Sequence, residues 1–159
     1  TDDGKPRDEN RCRDRLAAMI SPELARYGIQ RITEADMPNT KRADIAFALG
    51  GMQLRIEIKG QWHTDVWDAA TDQLDAQYLA DWRSQQRGIY IVFWFGELPS
   101  RSNRRLKTHP CAITPPTSAK EMRTMLIARL PEGRRALIDV VVLDASAGNP
   151  TLSTKHVLQ

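Results

Sequence analysis

The sequence predicts an α/β fold, a mixed sheet sandwiched between helices. Three observations carry this. The stretch Ile89 to Phe95 is a nearly unbroken run of β-branched and aromatic residues, the pattern of a central strand buried on both faces. Two alternating segments meet at Gly50-Gly51, a dipeptide that favours a tight hairpin. Apolar residues at helical spacing flank both features. The element order is helix, strand, hairpin, helix, buried strand, helix, strand.

In the first helix Cys12, Leu16, Met19 and Ile20 recur at helical spacing from Asp8, which is placed to act as N-cap, while Arg11, Arg13 and Arg15 fall on other faces. Ser21-Pro22-Glu23 reads as a fresh start, a cap followed by proline at the first helical position, and Gly28 closes this short second piece. A strand is expected over Ile29 to Glu34, then a loop from Asp36 to Thr40. A two-residue turn at Gly50-Gly51 sets Leu49 against Met52, Phe47 against Leu54 and Ile45 against Ile56, so every cross-strand pair on that face is apolar. From Asp65 to Gln86 helical spacing returns through Trp67, Ala70, Leu74, Tyr78 and Trp82. After the buried strand, residues 96–118 form a proline-rich basic loop, followed by a helix from Ala119 to about Leu130 and a last strand near Leu137 to Leu143.

With 159 residues the chain suits one domain. We divide it into a polar segment 1–7, a domain over 8–145 and a tail 146–159, and its start at Thr1 suggests a module of a longer protein. A composition 41% hydrophobic and 27% charged is that of a folded protein. The net charge of +3 favours polyanionic partners only weakly. Two cysteines, Cys12 and Cys111, are too few for a disulfide framework and wrongly spaced for zinc, which suits the cytoplasm. No apolar run reaches the roughly 18 residues of a membrane span, so no membrane partner is expected.

The chemistry lies on the other face of the hairpin, where the same register sets Asp44 opposite Glu57. Facing carboxylates repel each other unless a cation lies between them, and a hard divalent ion such as Mg²⁺ or Mn²⁺ suits oxygen ligands. Lys59, two residues beyond Glu57, shares their face. Two acids and an ammonium suit phosphodiester hydrolysis, in which an ion activates water and a lysine orients the nucleophile or steadies the transition state. The competing interpretation is a solvated amphipathic hairpin in which Lys59 simply pairs with Glu57.

Asp44, a Gly-containing hairpin, Ile56-Glu57-Ile58-Lys59 and a following helix resemble the D-x(n)-E-x-K signature of the PD-(D/E)XK, restriction-endonuclease-like, nuclease superfamily. The element order resembles that family's αβββαβ core over about residues 8 to 95. The family's proline is missing, since Arg42-Ala43 precede Asp44. The resemblance implies Asp44 and Glu57 as metal ligands, the main-chain carbonyl of Ile58 as a third, Lys59 as the catalytic lysine, and Mg²⁺ or Mn²⁺ as cofactor. It also implies an acidic ligand on the first helix, where Glu9 shares the inward stripe of Cys12, Leu16 and Ile20; the alternative is a Glu complementing the helix dipole. Gln73, on the helix after the catalytic strand, matches a catalytic Gln of some members, although Tyr78 follows at five positions rather than the four of the RecB-like pattern.

Gln61, Trp62 and His63 follow the catalytic strand and are placed to line a cleft. His63 is expected to cap or to touch substrate rather than to act as base. Trp62 is the one tryptophan suited to stack on a base, since core packing explains Trp67, Trp82 and Trp94. Arg101, Arg104, Arg105 and Lys107 are the phosphate-contact candidates, against the bland alternative of a solvated basic loop. The expected function is a metal-dependent nuclease acting on DNA, an effector domain of a larger bacterial protein such as an anti-phage defence system. The alternatives are RNA as substrate, or a non-catalytic nucleic-acid-binding or assembly module. The oligomeric state stays open, a homodimer included.

Overall fold

A computed structural model describes residues 8–32, 44–78, 84–98 and 102–146, with positions 75–78 described by backbone alone. Five strands form one sheet in the order β1 (Gln30–Ile32), β2 (Ile45–Leu49), β3 (Met52–Gly60), β4 (Gly88–Trp94) and β5 (Ile138–Asp144). The first three make an antiparallel meander, and β4 and β5 extend it in parallel. Helix α1 (Glu9–Ala25) covers one face and α2 (Ala119–Arg129) the other, so the chain is an α/β protein with a mixed sheet flanked by helices.

The hairpin register is the expected one: Leu49 pairs with Met52, Phe47 with Leu54 and Ile45 with Ile56. Gly50 takes a φ of +58° at the first central position, which a II′ turn requires and a residue with a Cβ resists. Because β-strand side chains alternate, Ile56 and Ile58 join the α1 face with Ala17, Ile45, Phe47, Ile91 and Phe93. Tyr90, Val92 and Trp94 point the other way, against Val66, Trp67, Leu74, Met122 and Leu126. Both faces of β4 are therefore dry, as its uninterrupted apolar sequence requires.

Two expectations are corrected. The helix does not restart at Ser21; α1 runs through Pro22 to Ala25. Proline has no N–H to give the carbonyl four residues back, and the Ser21 hydroxyl bonds to the Ala17 carbonyl at 2.6 Å just before it. Leu16, Ile20 and Leu24 pack against the sheet on both sides of that proline, and this burial keeps the helix continuous. Nor is 65–86 a regular α-helix: turns lead into a wide π-helical segment over Ala70–Tyr78, and positions 79–83, Trp82 among them, lie outside the described residues. The apolar stripe still packs as expected, with Trp67, Ala70 and Leu74 all buried. Thr33 and Glu34, the expected end of the first strand, and the 36–40 loop also fall outside the described residues, as does most of the tail.

Among the described residues no helix is long and apolar enough to cross a membrane. Cys12 is half-buried and Cys111 exposed, and neither is in a disulfide among the described residues.

Candidate active site

At the C-terminal end of β3 the alternation that buries Ile56 and Ile58 on the α1 face turns Glu57 and Lys59 to the opposite face, beside Tyr90 and Val92 of β4. That face is not solvated: Glu57 is 3% exposed and Lys59 6%. Their side chains meet at 2.6 Å. The interpretation as a solvated hairpin face therefore fails, although the pairing of the two charges that it expected is present.

Two more carboxylates come to the same strand end. Asp44 lies just before β2, and its carboxylate accepts the Ile58 amide at 2.7 Å. Glu9, from the first turn of α1, accepts the Gly60 amide at 2.8 Å. β2 begins at Ile45, so these side chains take over from the backbone ladder where pairing to β2 has stopped. The N–H and C=O of one strand residue point to the same side, so the Ile58 carbonyl opens towards Asp44 as well. Arg13, one helical turn beyond Glu9, brings its guanidinium to 4.0 Å from Asp44. The i, i+4 relation to Glu9 was the signal for Arg13, which the apolar stripe alone had set on another face.

Electrostatics follow from this crowding. Burial, and then the neighbouring charge of Asp44, raise the Glu57 carboxyl, and Lys59 pulls it only partly back, leaving it at about 7. For Lys59 burial opposes the charged form, but Glu57, Asp44 and Glu9 outweigh it and its pKa is raised. Lys59 is therefore an ammonium throughout the neutral range, held beside Glu57 with Asp44 and Glu9 nearby.

The other expected residues are distributed as follows. Gln73 donates to Asp65 at 3.2 Å, in the turns after β3, and is not brought to the acids by that bond. His63 caps: its Nδ1 accepts the Asp65 amide at 3.2 Å. Trp62 packs on Phe95 with ring centroids 5.6 Å apart, and the Arg104 guanidinium carbon lies 4.4 Å from its ring centroid. Arg104 also lies near the start of α1: the N-cap Asp8 is held below the usual carboxylate range by the Arg11 amide it caps, by the Arg11 charge and by that of Arg104. Arg105 and Lys107 are exposed, and Arg101 is outside the described residues.

The cleft-lining place expected of Gln61 is not where the fold puts it, for the side chain is fully buried. Its amide nitrogen donates to the carbonyls of Gly96 at 3.0 Å and Arg104 at 3.2 Å, and its amide oxygen accepts the Phe95 N–H at 2.8 Å. Its own carbonyl accepts the Lys107 amide, and the Lys107 carbonyl accepts the Trp67 indole N–H at 2.8 Å. The basic loop is thus tied to the end of β3 by its backbone. Gly60 has a second, steric role, since a Cβ there would lie 2.4 Å from the Trp62 ring. Gly60→Ala should displace that ring and cost about 1–3 kcal/mol, read as a lowered midpoint in urea unfolding.

Residues 1–97 match the family model described as Domain of unknown function (DUF8371). No curated protein and no solved structure matches the chain.

Proposed function

The chain belongs to the DUF8371 family, and from the geometry at the end of its third strand we propose that it is a divalent-metal-dependent nuclease of the PD-(D/E)XK, restriction-endonuclease-like, type that cleaves DNA. The observation that carries this reading is the buried Glu57–Lys59 pair with Asp44 and Glu9 gathered round the same strand end from two other segments. The order of helix, three-strand meander, helical crossover and parallel strand over residues 9–94 supports it.

The donors suit a hard cation. Glu57 sits at about 7 because burial, and then the neighbouring Asp44 charge, raise it by more than Lys59 lowers it. Asp44, Glu57 and Glu9 supply carboxylate oxygens, and the Ile58 carbonyl a neutral one, which are the ligands that Mg²⁺ and Mn²⁺ prefer. Among the described residues no three acidic, His or Cys side chains already converge as a cage, because Asp44 and Glu9 are engaged with the amides of Ile58 and Gly60. Binding would draw them from those amides. A divalent cation held there supplies Lewis acidity and a water of lowered pKa.

The chain's own residues do the remaining work. Lys59, kept protonated by its acidic neighbours, acts as a donor rather than as a base: it orients the attacking water and neutralises charge developing on the phosphate. Glu57 holds that ammonium in place at 2.6 Å. The low exposure of the pair strengthens both interactions.

Occupancy can be tested without turnover. Mn²⁺ at about one hundred times its dissociation constant should raise the melting temperature of the wild-type chain by roughly 5–10 °C. Asp44→Asn should lose most of that increase while melting normally in EDTA; an increase of the same size in the variant removes Asp44 from the site.

A further inference from the structure

We propose that Arg13 is a substrate-binding residue of the acid cluster: its guanidinium pairs with Asp44 and passes to a backbone phosphate of duplex DNA when another cation takes that carboxylate. This deepens the nuclease reading and rests on it for the substrate, whereas the exchange itself rests on the geometry of α1.

Glu9, Arg13 and Ala17 follow one another four residues apart on α1 and so form one row along the helix. Ala17, wholly buried in the core between α1 and the sheet, turns that row inward. Arg13 and Glu9, one and two turns earlier, are thereby carried to the end of β3. There Glu9 accepts the Gly60 amide at 2.8 Å, and Nη1 of Arg13 comes to 4.0 Å from the carboxylate of Asp44, whose other oxygen accepts the Ile58 amide.

The guanidinium keeps donors for a ligand. Asp14 fixes it by accepting from both Nε and Nη2 at 3.0 Å through one oxygen. At 4.0 Å the contact with Asp44 is an ion pair without a hydrogen bond, so Nη1 makes none among the described residues. Of the five N–H donors of an arginine, both of Nη1 and the second of Nη2 are therefore left, and together they form an edge that can meet a phosphate with two parallel hydrogen bonds. The side chains of Arg13 and Asp44 are 25% and 21% exposed, whereas the Glu57–Lys59 pair lies buried beside them. A phosphate arriving from solvent meets Arg13 first.

The exchange is energetically modest. An ion pair open to water at this separation is weak, so a divalent cation displaces Arg13 from Asp44 at little cost. The guanidinium then keeps only the exposed Asp14, a partner of the kind that contributes little. Its positive charge is released at the mouth of the site, where a phosphodiester can use it.

Two measurements without turnover test this. Mn²⁺ affinity by calorimetry should be about 3–10-fold tighter in Arg13→Gln than in the wild type, because a cation competing for Asp44 is gone. Equal or weaker affinity would make Arg13 a prop for Asp44 and overturn the proposal. Duplex binding is read by fluorescence anisotropy of a short fluorescein-labelled DNA in EDTA over a KCl series, with Asp44→Asn releasing Arg13 in place of a cation. In that variant the slope of log affinity against log salt should be steeper than in the wild type by about 1, one further phosphate contact, and Arg13→Gln combined with Asp44→Asn should lose the gain. A gain that survives in the double variant comes from the lost negative charge alone and overturns the proposal, as does the absence of any gain or of duplex binding. Should Asp44→Asn fail to fold, the Mn²⁺ comparison decides alone. Cleavage by the wild type in Mg²⁺ is read separately. The expected slopes without cutting sink the nuclease reading and leave the Arg13 contact; cutting with equal slopes does the reverse.

Discussion

Replacing Lys59 with alanine should lower the rate of DNA cleavage by about 10²–10³-fold while leaving metal binding in place. The ammonium is 2.6 Å from Glu57, is buried, and is kept charged by its acidic neighbours, so under the proposed mechanism it is the group that β3 offers to a reacting phosphate. Its loss removes a donor to charge that develops only in the transition state, and such losses lower kcat more than they raise KM. Removing a cation from among three acids should, if anything, tighten Mn²⁺ binding, because one competitor for the carboxylates is gone. Single-turnover cleavage of a labelled duplex by wild type and Lys59→Ala, with Mn²⁺ affinity measured by calorimetry on both, checks the two halves together. Equal cleavage rates would remove Lys59 from the mechanism.

The second large effect concerns stability against pH in the absence of metal. The Glu57 carboxyl is raised from 4.5 to about 7 in the folded protein, chiefly by burial and then by Asp44. Because the folded form binds this proton more tightly than the unfolded chain, its contribution is fully present below pH 4.5, is lost as pH rises to about 7, and is constant above that. The whole difference is about 3 kcal/mol. Urea unfolding in EDTA at pH 5 and pH 8 should show the wild type losing about this much more stability between the two than Glu57→Gln, whose amide can still accept from Lys59 but carries no proton to lose. Parallel pH profiles for the two proteins would show that Glu57 ionises without cost.

Much of the site was readable because the hairpin imposes a strict period of two. Once Gly50-Gly51 sets the turn, the apolar pairs Phe47–Leu54 and Ile45–Ile56 leave a single register, and that register brings Asp44 to Glu57 and puts Lys59 on the same face. Glu9 was readable for a similar reason, by sharing the stripe of Cys12, Leu16 and Ile20. What escaped was decided by tertiary packing. Pro22 breaks helices by local rules, yet burial on both sides of it carries α1 through. The wide turn at Ala70–Tyr78 leaves the same buried residues as an α-helix would, so spacing does not reveal it. Gln61 looked like any polar residue after a strand; only the fold shows that its amide replaces sheet hydrogen bonds where β3 and β4 end and the basic loop docks. The burial of Glu57 and Lys59 was hidden for the opposite reason, since alternating charge on a strand resembles a solvated face until the layer beyond it is placed.

The most direct test of the account is incubation of the purified wild-type chain with supercoiled plasmid in EDTA, Mg²⁺ and Mn²⁺, with linear duplex DNA and RNA in parallel. Nicking or linearisation of the plasmid in Mg²⁺ or Mn²⁺ and none in EDTA is the predicted result. Intact DNA in every metal, or cutting that persists in EDTA, would contradict it, and cutting confined to RNA would overturn the assignment of DNA as substrate.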